Sequence, residues 1–347
     1  MSASSTPRRT TIKDVAEAAG VGVATVSRVL SGTGSASPET RERVLAAAAR
    51  LDYRPSALGR NLRQQRSGGI GLLVPDITDM FYGRLADGVF SCARSMGEPV
   101  IVGVTGDDPE REAGQIGTLV EQSVERVIAV PAGDGESWTS AIRAGLTVVF
   151  ADRRPPGHEG VPAVLADDGT GMRTALEYLT GLGHRRIAFL TRYGQRQRVR
   201  AFTETLTALG VPVDEELIAY ARASRDSAYA AAAGLFQHRP DLTALLAGGN
   251  LLGEAAVLAA RELDLRIPRD VSLIMFDDVP WAELCSPPLT VIAQPARDMG
   301  YRAAELVLRE GRRARGVRGV TLPTELIVRA SCSPRRQPSP GAGGRLR

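Results

Sequence analysis

From Ile70 to about residue 330, short apolar runs alternate with longer helical stretches, and this restricts the fold more than any other feature of the chain. The runs include Ile70 to Val74, Val100 to Val104, Val127 to Val130, Val148 to Phe150, Ile187 to Leu190, Leu245 to Ala247 and Val271 to Phe276. A strand that is apolar almost throughout, rather than at alternate positions, is covered on both faces. Strands separated by helices cannot close as hairpins, so the pattern predicts an α/β fold of parallel sheets with helices on both sides. At 347 residues there is room for two or three domains.

The first 69 residues follow a different rule. Between Thr11 and Leu30, apolar side chains fall at Ile12, Val15, Ala16 and Ala19, then at Val23, Val26, Val29 and Leu30. These are two short helical stripes, separated by Gly20-Val21-Gly22, where glycine can take the positive φ of a sharp turn. Ser37-Pro38 supplies an N-cap and a first-turn proline for a third helix, Glu39 to Leu51, with Val44, Leu45, Ala48 and Leu51 expected on its buried face. The segment carries eleven Arg/Lys against five acids, net +6 in a chain whose total is +4, so the remainder is net −2. Such asymmetry predicts a polyanion, most naturally nucleic acid, bound by the N-terminal part.

Composition narrows the setting. Cys92, Cys285 and Cys332 are few, odd in number and far apart, which fits a reducing compartment and predicts a cytoplasmic protein. Residues 1–11 have no apolar run after Arg8-Arg9, and no stretch reaches the roughly 18 apolar residues of a membrane span. Neither export nor membrane insertion is expected.

A helix that reads DNA needs an apolar inner face and an outer face that reaches base edges and phosphates. In Val23 to Ser31, Arg28 can grip guanine O6 and N7, Thr25 and Ser27 can anchor phosphates, and Val23 and Ala24 can meet thymine methyls. Taken alone, the same face is equally a solvated helix surface. The run Thr11-Ile-Lys-Asp-Val-Ala-Glu-Ala-Ala-Gly-Val-Gly-Val-Ala-Thr-Val-Ser-Arg-Val-Leu-Ser-Gly32 resembles, almost residue for residue, the headpiece signature of the lac repressor (LacI/GalR) family. Gly22 and Ser31 depart from that signature, standing where a serine and an asparagine are usual. The stretch Arg54-Pro-Ser-Ala-Leu-Gly-Arg-Asn-Leu-Arg63 resembles the family's hinge helix, and Leu62 matches the leucine that wedges into the minor groove. Gly59 replaces the usual alanine there and lowers helix propensity by about 1 kcal/mol. The resemblance implies DNA contacts from Thr11, Val23, Ala24, Thr25, Ser27, Arg28, Ser31, Ser35, Asn61 and Leu62.

The rest of the chain resembles the family's effector domain, at Ile70 to Pro75, Val149 to Arg153, Leu182 to Ala188 and Val271 to Asp278. This implies a periplasmic-binding-protein-like core of two Rossmann-like subdomains, joined by three crossovers, with a small-molecule effector in the cleft between them. It implies pocket roles for Phe81, Asp152, Arg153, Arg198, Asn250 and Asp277. Departures cluster at the same place: Gly249-Asn250 lacks the family's usual carboxylate, Ala223 replaces a frequent aromatic, and Asp79-Met80 replaces Asn-Pro. The loop Thr191-Arg-Tyr-Gly-Gln-Arg-Gln-Arg198 crowds cations. Together these predict an anionic effector rather than a neutral sugar.

The expected organisation is a disordered segment 1–10, a helix-turn-helix headpiece 11–54, a hinge helix and linker 55–69, a core 70–333 and a disordered tail 334–347. Within the core, one subdomain takes about 70–165 and 294–318, the other about 166–293 and 319–333. The expected function is a regulator, most naturally a repressor, that binds a palindromic operator as a homodimer, since no leucine heptad follows Ser331 to tetramerise it. Three alternatives stand beside it: a regulator without effector, a solute-binding protein and an enzyme. No P-loop, Gly-x-Ser-x-Gly or strand-following Gly-x-Gly-x-x-Gly supports catalysis, and His158, His184 and His238 lack metal-ligand spacing. No cofactor or metal is expected.

Overall fold

The computed structural model describes residues 10–31, 36–53, 69–310 and 319–335. The chain divides into two compact units, residues 1–68 and 69–347. Expected features in the hinge, at the extreme N-terminus and in most of the C-terminal tail lie outside the described residues, Ser35, Asn61 and Leu62 among them.

The first unit contains α1 (Ile12–Ala19), α2 (Val23–Ser31) and α3 (Pro38–Arg50). Asp14 closes the start of α1 by accepting from the backbone N and Oγ1 of Thr11, both at 2.7 Å. Gly20 ends the helix in the left-handed region at φ 63°, as the turn requires. The Ser37 hydroxyl accepts from Thr40 N at the head of α3, with Pro38 in the first turn. Val15, Ala16, Ala19, Val26, Val29, Val44, Ala47 and Ala48 form the core. Leu45, expected inside, is 47% exposed. One step of about 100° past Val44 carries it off the face that Ala47 and Ala48 complete three and four residues on.

The second unit holds two six-stranded sheets. The first has the order β11-β5-β4-β3-β1-β2, built from β1 (Ile70–Val74), β2 (Val100–Val104), β3 (Arg126–Ala129), β4 (Thr147–Ala151), β5 (Ala163–Ala166) and β11 (Val320–Leu322). The second has the order β12-β10-β9-β8-β6-β7, from β6 (Ile187–Arg192), β7 (Ile218–Ala221), β8 (Ala244–Ala247), β9 (Ser272–Phe276), β10 (Thr290–Ala293) and β12 (Glu325–Ile327). Every pairing is parallel except β10 with β12. The helices are α4 (Met80–Ser95), α5 (Pro109–Glu121), α6 (Glu136–Arg143), α7 (Asp168–Gly181), α8 (Arg196–Ala208), α9 (Arg225–His238), α10 (Asn250–Glu262), α11 (Pro280–Leu284) and α12 (Ala296–Glu310). They cover both faces of each sheet, and β1, β8 and β9 are buried at every residue.

The chain passes between the sheets three times: after β5, after β10 and between β11 and β12. The last passage corrects the expected boundary at 319. Val320, Thr321 and Leu322 pair with Val164, Leu165 and Ala166 of the first sheet, so the second subdomain resumes only after Leu322. Ordered chain also runs past Pro334, since Arg335 N donates to Leu182 O at 2.9 Å. Thr10, expected in the disordered leader, donates its Oγ1 to Leu51 O at 3.2 Å. Helices α4 and α12 touch backbone to backbone: a Cβ at Gly88 would collide with Arg297 O, and one at Gly300 with Leu85 O.

Candidate functional site

The outward side of α2 is exposed at Val23, Ala24 and Arg28 and half-buried at Thr25 and Ser27, while Val26 and Val29 turn inward. Arg28 Nε donates to Ala24 O at 3.3 Å, which lays the side chain along its own helix. Thr11 stands exposed at the head of α1, and Ser31 is the last residue of α2.

In the second unit the six expected pocket residues all sit beyond the carboxyl ends of strands, where ligands meet open α/β sheets. Phe81 opens α4 after β1, and Asp152 and Arg153 follow β4. Arg198 lies in the first turn of α8 after β6, Asn250 starts α10 after β8, and Asp277 follows β9. Asp152 and Asp277 adopt φ of 67° and 77°, a left-handed conformation that aspartate tolerates better than most residues and that turns each carboxylate off its strand.

Five of the six line one small compartment: Phe81, Asp152, Arg198, Asn250 and Asp277, with Tyr82, Arg192 and Gln294 around them. Its polar groups are already paired. Arg198 grips Asp168 through Nε at 2.7 Å and Nη2 at 3.2 Å, donates to Gly248 O at 2.7 Å and to Gln294 Oε1 at 3.1 Å, and lies 4.2 Å above the Phe276 ring. Burial works against that charge, but Asp168 and the neighbouring carboxylates outweigh it and raise the guanidinium's pKa. Asn250 donates through Nδ2 to Asp277 at 3.1 Å and, across the cleft, to Asp79 at 2.8 Å. Arg192 donates to Tyr82 OH at 3.2 Å, and Tyr82 OH donates to Asp152 at 3.4 Å. Burial pushes up the carboxyls of Asp79 and Asp152, partly countered by the Asn250 hydrogen bond and by Arg153 respectively.

Arg153 stands apart from these five. Its Nε donates to Pro131 O at 2.7 Å and its Nη2 pairs with Asp107, so it lines a neighbouring outer compartment with Arg154, Arg196 and Gln197. Sequence reasoning did not assign Asp79, Tyr82, Arg192, Arg154 or Arg196 to the site. The crowding of cations in 191–198 was the available signal for Arg192 and Arg196, and the tandem after Asp152 was the signal for Arg154.

Residues 11–56 match the model described as bacterial regulatory proteins, lacI family, and residues 176–332 match a periplasmic binding protein-like domain. Over 337 residues the chain is 34% identical to the HTH-type transcriptional regulator DegA of Bacillus subtilis, covering 94% of this chain and 99% of that one. The chain belongs to the LacI family. Among solved structures, the lac repressor dimer bound to operator and the anti-inducer ONPF is 25% identical with a TM-score of 0.81, over 94% of this chain and all of that one. A complex of the transcriptional regulator CelR with cellobiose is 32% identical with a TM-score of 0.69, over 93% and 100% of the two chains. This LacI-family protein is therefore a DNA-binding transcriptional regulator and not an enzyme. Among the described residues, no helix is long and apolar enough to cross a membrane.

Proposed function

We propose that this regulator represses transcription as a homodimer on a palindromic operator, and that a small metabolite in the cleft of the second unit sets its operator affinity. The observation that carries the DNA half is the α2 surface: Val23, Ala24 and Arg28 stand exposed on a helix whose opposite face closes a small apolar core. Arg28 reads a guanine, Thr25, Ser27 and Thr11 hold phosphates, and Val23 and Ala24 meet thymine methyls. Leu62 and Asn61 act in the minor groove at the operator centre, with Ser31 and Ser35 on the backbone. The operator-bound dimer of the related lac repressor supports this arrangement.

Dimerisation has its own support. Strand β2 is an edge, and Val102 and Val104 stand 38% and 42% exposed on the side where Val100 packs under α4 and α12. Met80 and Phe90 of α4 are also more than a third exposed. Such an apolar edge is a natural pairing surface for a second copy. Free cysteines fit a cytoplasmic setting.

Selection of bound duplexes from a random pool at fixed salt tests the reading, because phosphate contacts make affinity salt-dependent. A palindrome with a flexible central step is the expected result; failure to enrich any sequence, with or without cell metabolites, refutes it. One observation favours a second reading, a regulator without effector. The inner compartment encloses only about 20 Å³, having been filled by its own side chains.

A further inference from the structure

We propose that the outer compartment of the cleft holds a dianionic group, such as a phosphate monoester, gripped by Arg154, Arg196 and the first turn of α8. The inference rests on the effector reading above and gives that effector a chemical class and a seat. The inner compartment has little to offer a ligand, since Asn250 is tied to Asp79, Arg192 to Tyr82 and Arg198 to Asp168. The outer one encloses about 160 Å³.

Charge decides what suits that space. Arg153, Arg154, Arg196 and Arg198 line it against Asp152 and Asp168, an excess of two positive charges. Arg198 is tied to Asp168, and Arg153 to Asp107 and Pro131 O. Arg154 and Arg196 have no ion-pair partner among the described residues. The Arg154 Nε is buried without an acceptor. The acid that Arg154 influences is the exposed Glu159, whose carboxyl is held mainly by backbone N–H groups, its own and that of Gly157.

The helix adds to this. α8 runs for thirteen residues, has no acid in its first turn, and its N-cap residue Gln195 does not cap it. Gln195 Oε1 is engaged elsewhere, by Thr191 Oγ1 at 3.0 Å and Arg192 N at 3.4 Å. The Arg196 amide donates to Gly194 O at 2.9 Å, but the positive end of the helix lines the same space as Arg154 and Arg196, a combination suited to phosphate oxygens. A neutral sugar would need free acceptors for its hydroxyls, whereas the carboxylates here are either paired with arginine or accepting from Tyr82.

The test is calorimetric titration of the full-length protein with inorganic phosphate, at ionic strength matched with chloride, for wild type, R196Q, R154Q and the double variant. R200Q, two positions beyond the last chamber residue on the same helix and paired with Glu204, controls for net charge. Saturable binding that weakens about tenfold or more in R196Q, further in the double variant and not in R200Q is expected. Because Arg196 is exposed, R196Q keeps the test valid even where R154Q disturbs folding. Undiminished binding in R196Q, or no saturable binding in wild type, overturns the chamber assignment. Release of the selected operator by ribose, with no phosphate binding, overturns it while leaving the effector reading intact. Indifference of operator affinity to a whole-cell metabolite extract overturns both.

Discussion

The two units keep their chemistry in opposite places. In the first, the side chains proposed to meet DNA stand outside a core whose buried members are valine and alanine, so Val23, Ala24 and Arg28 can change without touching what holds the helices together. In the second, the side chains that line the inner compartment of the cleft are also the fastening: Arg198, Asn250 and Asp79 tie together loops from both sheets. A binding face can be read from an exposed pattern. A binding cleft cannot be read so simply, because the same residue types serve recognition and cohesion.

The sharpest way to break this contrast is Arg198→Ala. It leaves Asp168, Gly248 O and Gln294 without their partner and should destabilise the second unit by about 3 kcal/mol, with the first unit's unfolding unchanged. Two denaturant transitions followed separately check this; equal loss in both would erase the distinction. Arg28→Ala should weaken discrimination at one base pair by about 1 to 3 kcal/mol in binding to the selected operator, with no shift in either melt. Val44→Ala, by contrast, should lower the stability of the first unit by about 1.5 kcal/mol through lost apolar burial, and lower affinity for every DNA sequence alike.

The smallest effect concerns Asp79. Burial raises its folded-state pKa above the unfolded value, so the folded form holds its proton more tightly. Its contribution to stability is full below the unfolded value near 4 and fades as pH rises through the folded one. Asp79→Asn, which preserves an N-cap acceptor for Phe81 N, should remove that contribution. Thermal melts of wild type and variant between pH 3 and 7 should converge at acid pH and differ most near neutrality, with the variant higher.

Much of the framework was legible because it rests on burial. Ile70–Val74 and Val100–Val104 are strands over the expected bounds, and the turn at Gly20 and the cap at Ser37 lie where the sequence puts them. The strands that escaped naming are three or four residues long, and several are weakly apolar or at a sheet edge, such as Ile218–Ala221, where Tyr220 is 43% exposed. Val320–Leu322 went to the wrong sheet because a three-residue strand says nothing of its partner. Of the pocket, six positions followed from family resemblance, but their engagement with Asp168, Gln294 and Asp79 depends on distances between loops far apart in sequence. Leu45 was misplaced by a single helical step.

The triple passage between sheets also sets an order of manufacture. Residues 167–293 are contiguous and hold five of the six strands of the second sheet, whereas the first sheet, begun at Ile70, waits for α12 and for β11 at Val320–Leu322. On a ribosome the half started first is therefore finished after most of the other half has emerged. Until α12 arrives to meet α4 at Gly88, the apolar side of α4 that carries Leu85 and Val89 lacks its cover. The nascent chain is most exposed to wrong association during that interval, after β1 to β5 have emerged and before the last helix of that half reaches them.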